Sequence, residues 1–143
     1  MPQSHRRLGL SHDELTIVLQ YIDGNLAEPM LCDRLADQLE MTRSIFDRRF
    51  KDSTGQTPYA YVVARRIARA RELLAWTDEP IDEVGIRVGF GRHSNFTTVF
   101  RQVTGLTPTR FRLAKRIASN TRQAPREYLQ KFGGELGSFG AEE

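Results

Sequence analysis

Two stretches of this chain repeat one another at a spacing of 50 residues, and that repetition limits the fold more than any other feature. Phe46 and Phe50 are followed by Thr54-Gly55-Gln56-Thr57-Pro58; Phe96 and Phe100 are followed by Thr104-Gly105-Leu106-Thr107-Pro108. Upstream, Leu35, Ala36, Leu39 and Met41 match Val84, Gly85, Val88 and Phe90 at a spacing of 49, so the second copy holds one extra residue in its turn. Self-similarity of this kind marks one supersecondary unit used twice. In each copy apolar residues three and four apart give the helices a buried stripe, and the small residues Ala36 and Gly85 stand where two helices approach closely. A short helix, a tight turn and a second amphipathic helix outline a helix-turn-helix, whose second helix enters the DNA major groove. The expected fold is therefore all-α, with two helix-turn-helix subdomains joined by a long linker helix and about seven helices in all.

The helix punctuation supports this layout. Ser11 with Glu14 is a capping-box pattern, opening a helix whose apolar stripe is Leu15, Val18, Leu19, Ile22 and Leu26 and whose end Gly24 marks. Glu28-Pro29 interrupts the chain, and the next helix is expected from Cys32 to Leu39 with Leu31 in the N-cap position. Thr42 and Gly55 frame the first reading helix as N-cap and C′ residue. Thr57-Pro58 opens a long helix to Ala75, ~27 Å at 1.5 Å per residue. Trp76 is expected as a core or inter-lobe anchor at the start of an acidic turn, followed by a helix from Ile81 to Val88. The second reading helix then spans residues near 93–104, and Thr107-Pro108 opens a last helix to Ala118. The resulting divisions are a flexible N-terminus over 1–10, a first subdomain over 11–56, the linker over 57–76, a second subdomain over 77–118 and a partly disordered tail over 119–143.

Charge follows the same map. Between Val84 and Arg126 there are nine basic residues and no acidic one, and between Met41 and Ala75 eight basic against three acidic. The flanking segments Met1 to Glu40, Trp76 to Glu83 and Glu127 to Glu143 are each net negative, and 18 of the 21 cations are arginine. Arginine is the side chain suited to bidentate phosphate and guanine contacts. Basic blocks that coincide with the reading helices and their followers point to a polyanion partner. One cysteine, Cys32, leaves no internal disulfide and no cysteine-pair zinc site, and His5, His12 and His93 lack metal-ligand spacing. No apolar run approaches the ~20 residues of a membrane span. A soluble cytoplasmic protein with no cofactor and no evident small-molecule ligand is the expectation.

With Phe46 and Phe50 turned inward, Ser44, Asp47, Arg48 and Lys51 face outward at 100° per residue. With Phe96 and Phe100 inward, Ser94, Thr97, Thr98 and Arg101 face outward, and Arg92, His93 and Asn95 lie at the helix start. The expected base-contacting set is Ser44, Asp47, Arg48, His93, Ser94, Asn95, Thr97 and Thr98. Arg48 has the reach for a bidentate guanine contact, Asn95 can pair with adenine, and threonine methyls can touch thymine methyls. Asp47 accepts from a cytosine amino group, orients Arg43 or Arg48, or repels wrong bases; His93 donates to a phosphate or base edge, or is a plain surface histidine. The expected phosphate-contacting set is Arg43, Arg49, Lys51, Arg66, Arg92, Arg101, Arg110 and Arg112.

The run Gly89-Phe90, Ser94-Asn95-Phe96, Phe100-Arg101, Gly105-Leu106-Thr107-Pro108, Phe111-Arg112 resembles the signature of the AraC/XylS family of bacterial transcription regulators. The first copy and the connector Arg66-Ile67, Ala70, Leu73-Leu74 resemble the rest of that family's DNA-binding domain, over roughly Leu15 to Ala118. The resemblance implies a sequence-specific double-stranded DNA-binding regulator whose two reading helices occupy successive major-groove segments ~34 Å apart on one side of the duplex. It implies binding as a monomer, contact with RNA polymerase in an activator, and a nucleoid location. Family members often carry a longer polar or basic residue where Thr98 stands, which implies a second helix that mainly grips the backbone. The likeness is to the small stand-alone members; the alternatives are the isolated DNA-binding domain of a longer ligand-sensing regulator, or a protein-interaction adaptor. An enzyme is not expected: a methyl-transfer role would need a reactive thiolate in a basic pocket, whereas Cys32 sits beside Asp33.

Overall fold

The computed structural model describes residues 9–92 and 95–123, with side chains described through residue 119. Most of the N-terminal segment expected to be flexible, together with His93, Ser94 and the tail beyond residue 123, lies outside the described residues. Seven α-helices and no strand occur among those described: α1 His12–Gly24, α2 Leu31–Gln38, α3 Arg43–Thr54, α4 Pro58–Trp76, α5 Ile81–Arg87, α6 Phe96–Thr104 and α7 Pro108–Gln123. None of these helices is long and apolar enough to cross a membrane.

The repeat is kept down to individual hydrogen bonds. After α2 the chain turns through Glu40 at φ 58°, with Glu40 N–H donating to Asp37 O and Met41 N–H to Ala36 O. After α5 it turns through Gly89 at φ 110°, with Gly89 N–H donating to Ile86 O and Phe90 N–H to Gly85 O. Both are Schellman ends, which satisfy the carbonyls a helix terminus leaves over. The reading helices end alike too. Gly55 and Gly105 both adopt φ 87°, and their N–H groups reach Lys51 O and Arg101 O at 2.8 Å. Thr57 and Thr107 then accept from the N–H of Ala60 and Arg110, each at 3.2 Å.

Two separate hydrophobic cores result. The first holds Val18, Ile22, Leu35, Ala36, Phe46, Phe50 and Val62; the second holds Ile67, Ala70, Leu74, Val84, Val88, Phe96, Phe100 and Phe111. Edge-to-face pairs recur at matching places, Phe50 on Tyr61 at 5.6 Å and Phe100 on Phe111 at 5.4 Å between centroids. Full burial of a ring such as Phe50 or Phe100 contributes ~1.5–3 kcal/mol through its removal from water. Helix α4 supplies residues to both cores and so joins the lobes.

Several expectations are corrected. The second reading helix, expected from near residue 93, begins at Phe96, with Asn95 in its N-cap position at φ −96° and ψ 37°. Met30, in a left-handed conformation, holds the N-cap of α2, and Leu31 is its first helical residue, buried in the core. Leu10 is not free: it packs on the first core, and its N–H donates to Ser53 Oγ at 2.7 Å. Trp76 is not part of either core; it is 77% exposed on the last turn of α4. Helix α7 runs past Ala118 to Gln123, because nothing in Ser119 to Gln123 breaks a helix. On α7 Phe111 is buried, Ala114 half-buried and Leu113 exposed.

Gly85 explains itself: a Cβ there would lie 2.9 Å from Phe96 Cδ2 and 3.0 Å from Cγ, within a buried ring. Gly85→Ala is expected to destabilise the chain by about 1–3 kcal/mol through overpacking. Gly24→Ala, with nothing near its Cβ, is expected to be neutral or stabilising by up to about 1 kcal/mol. Urea unfolding of both variants checks the contrast.

Candidate nucleic-acid interface

Helix α3 is held by Thr42, whose side chain accepts from Ile45 N–H at 3.2 Å, and by Phe46 and Phe50, which are fully buried. Its opposite side presents Ser44, Arg48 and Lys51 to solvent. Arg48 and Lys51 hold no ion pair among the described residues, so both cations are available to a ligand. Arg43 is engaged: its Nε donates to Asp47 at 2.8 Å and its Nη1 to Asp33 at 3.0 Å. The Asp47 hydrogen bond is the chief cause of its raised pKa. Of the roles open to Asp47, orientation of Arg43 is the one the geometry displays. Arg49 is half-buried, with its Nε out of solvent.

Helix α6 is held by Phe96 and Phe100, and it exposes Thr97, Thr98 and Arg101. Asn95 sits exposed at its N-cap position, and Arg92 is exposed in the preceding turn. His93 and Ser94 fall outside the described residues. Gln102, four residues on from Thr98, shares the exposed side. The sequence reading passed over it, although its 3.6-residue spacing from Thr98 was the available signal. Arg110 is exposed at the start of α7.

Two of the expected phosphate contacts are turned elsewhere. Arg66 is half-buried, donating from Nε to Leu26 O at 2.8 Å and from Nη2 to Glu28 O at 3.3 Å, and burial lowers its pKa. Arg112 donates from Nε to Leu74 O at 3.0 Å, with its Nη2 buried. Both guanidiniums satisfy carbonyls of their own chain. Sequence alone gives an arginine no address, because its partners lie 38 to 40 residues away.

Residues 35–114 match the model of a helix-turn-helix domain family. This chain belongs to the AraC/XylS family of transcription regulators. It is 32% identical over 113 residues to the HTH-type transcriptional regulator ArgR of Pseudomonas aeruginosa, covering 79% of this chain and 34% of that protein. It is 30% identical over 106 residues to the HTH-type transcriptional activator RhaS of an Enterobacter species, covering 73% of this chain and 38% of the relative. The chain thus spans about a third of the length of these curated relatives. Among solved structures, the DNA-binding domain of AdpA, a global transcriptional factor solved in complex with a target DNA, matches at 32% identity with a TM-score of 0.68, over 78% of this chain and 98% of that one. An AraC-type regulator from Chromobacterium violaceum matches at 29% identity with a TM-score of 0.64, over 72% and 92%.

The relatives named above are transcription regulators. Cys32 is buried, and burial pushes its pKa up against a smaller lowering by Arg43. A reactive cysteine needs the reverse, a thiolate that is accessible and stabilised. No group of three His, Cys, Asp or Glu side chains is placed to hold a metal among the described residues. Iodoacetamide at pH 8 is therefore expected to leave the folded chain unlabelled over an hour and to label it one-to-one in urea. Fast labelling of the folded chain, followed by mass spectrometry, would contradict this.

Proposed function

We propose that this chain reads double-stranded DNA sequence-specifically, placing α3 and α6 in two adjacent major-groove segments. The observation that carries the reading is the pair of helix-turn-helix units, each with its second helix buried on a phenylalanine pair and exposed on a polar face. The basic blocks over residues 41–75 and 84–126 supply the electrostatic footprint. The likeness to AdpA, solved on a target DNA, supports the same mode.

In this reading Arg48, Ser44, Asn95, Thr97 and Thr98 face base edges, with His93 and Ser94 beside them. Lys51, Arg92, Arg101 and Arg110 grip phosphates, with Arg43 and Arg49 at the margin of the contact. The reading omits Arg66 and Arg112, whose guanidiniums bond within the fold. Phosphate contacts set affinity and its salt dependence, while base edges set the sequence. The longest exposed donor in the base-facing set is Arg48, so α3 carries more of the sequence reading than α6. Both reading helices belong to one chain, so a monomer covers the site, which need not be palindromic. Such a regulator works on the nucleoid in the cytoplasm. As an activator, like the relatives named RhaS, it also meets RNA polymerase, and the net-negative first 40 residues are the surface we assign to that contact.

Selection from a random duplex library with the purified chain tests this and returns the site. Arg48→Ala is expected to flatten preference at one base position and cost about 1–3 kcal/mol on the selected site; equal loss on random duplex would move Arg48 to the phosphate set. Arg101→Ala is expected to weaken all duplexes alike and reduce the slope of log K against log salt by about 0.9. An unchanged slope would take Arg101 out of the interface.

A further inference from the structure

The lobes meet at one point that no reading helix explains. Arg66 lies midway along α4, between Val62 of the first core and Ile67 of the second. Its guanidinium grips the loop after α1 through Leu26 O and Glu28 O. That loop is itself fastened to the first lobe: Tyr21 donates to the Glu28 carboxylate at 2.8 Å, Arg34 pairs with it at 3.0 Å, and Asn25 Nδ2 donates to Tyr21 O at 2.9 Å. From the other side comes Gly89, in the turn between α5 and α6. A Cβ on Gly89 would fall 2.4 Å from Leu26 O and 2.6 Å from Arg66 Nε. The turn that aims the second reading helix is therefore seated directly on the hydrogen bond between Arg66 and the first lobe.

Beside this junction the lobes part. A cleft of about 450 Å³ separates Asp23, Leu26 and Ala27 from Arg87 and Val88, with α4 as its floor. The ion pair of Arg65 with Asp23 across part of it is half exposed, and such pairs stabilise by at most ~1 kcal/mol.

We infer that Arg66 and Gly89 form a strut that fixes the angle and separation of the two reading helices, making Arg66 a positioning residue for half-site spacing. One base pair of added spacing moves the second segment by ~3.4 Å and turns it by ~35° about the duplex axis. A rigid strut cannot follow that change, and the gain from linking two contacts is lost when geometry forbids both. This consequence for spacing rests on the two-segment reading proposed above; the strut itself does not.

Two measurements separate them. Spin labels on Gln20→Cys and Glu83→Cys, both exposed, in a Cys32→Ala chain report the lobe-to-lobe distance without DNA. A narrow distribution that broadens with Arg66→Met is expected; an unchanged distribution overturns the strut. On duplexes from the library selection, inserting one base pair between half-sites is expected to weaken the unaltered chain about tenfold or more, and Arg66→Met to shrink that penalty to about threefold or less. Loss that is equal on every duplex overturns the positioning role, and a reduced salt slope alongside it assigns Arg66 to a phosphate. Arg66→Lys, which keeps the cation but loses the fork, carries both measurements if the methionine variant unfolds. A chain that shows the distance change but no spacing dependence keeps the strut and defeats the two-segment reading.

Discussion

Val62 and Ile67 are five residues apart on α4, yet each is buried in a different core. At 100° per residue they point some 140° apart. One helix thus forms part of the wall of two lobes, and neither lobe closes without it. That shared wall is what turns two small helical units into one object with a defined geometry. It is also why the helix must be long: its 19 residues give about 28 Å at 1.5 Å per residue, enough for one lobe to pack near each end. Everything proposed about two-segment reading depends on this helix staying straight and on both lobes staying seated against it.

The two halves that hang on α4 have the same skeleton and different surfaces. Buried positions repeat as phenylalanine pairs, and the ends of the helices repeat backbone hydrogen bonds at α2 and α5 and at α3 and α6. Outward positions do not repeat. Helix α3 offers Arg48 and Lys51, while α6 offers the short Thr97 and Thr98 with Arg101. A core must satisfy one packing problem twice, so its residues match. A groove-facing surface answers to different base pairs in the two segments, so its residues diverge. On the proposed reading, two mounts of like build take unequal shares of the sequence reading.

Much of the fold was legible because it is local. Thr42, Gly55, Thr57-Pro58 and Gly105 act through hydrogen bonds to residues three or four positions away, and the Phe46/Phe50 and Phe96/Phe100 pairs announce their buried faces by spacing alone. What was not legible depends on distant partners. Nothing near Trp76 in the chain says that it stands exposed on the last turn of α4. Arg66 and Arg112 read as surface cations until the carbonyls of Leu26, Glu28 and Leu74 come into view. The apolar stripe of α7 stops at Ala118, yet the helix continues to Gln123, because Ser119 to Gln123 contain no residue that breaks it.

Hydroxyl-radical footprinting of the purified chain on its selected duplex bears most directly on the central claim, that one polypeptide holds two reading helices at the pitch of the double helix. The account predicts two protected patches about 10 base pairs apart on one face of the duplex, appearing together at one chain per duplex. A single patch one half-site wide, or a second patch that appears only when a second chain binds, would contradict it.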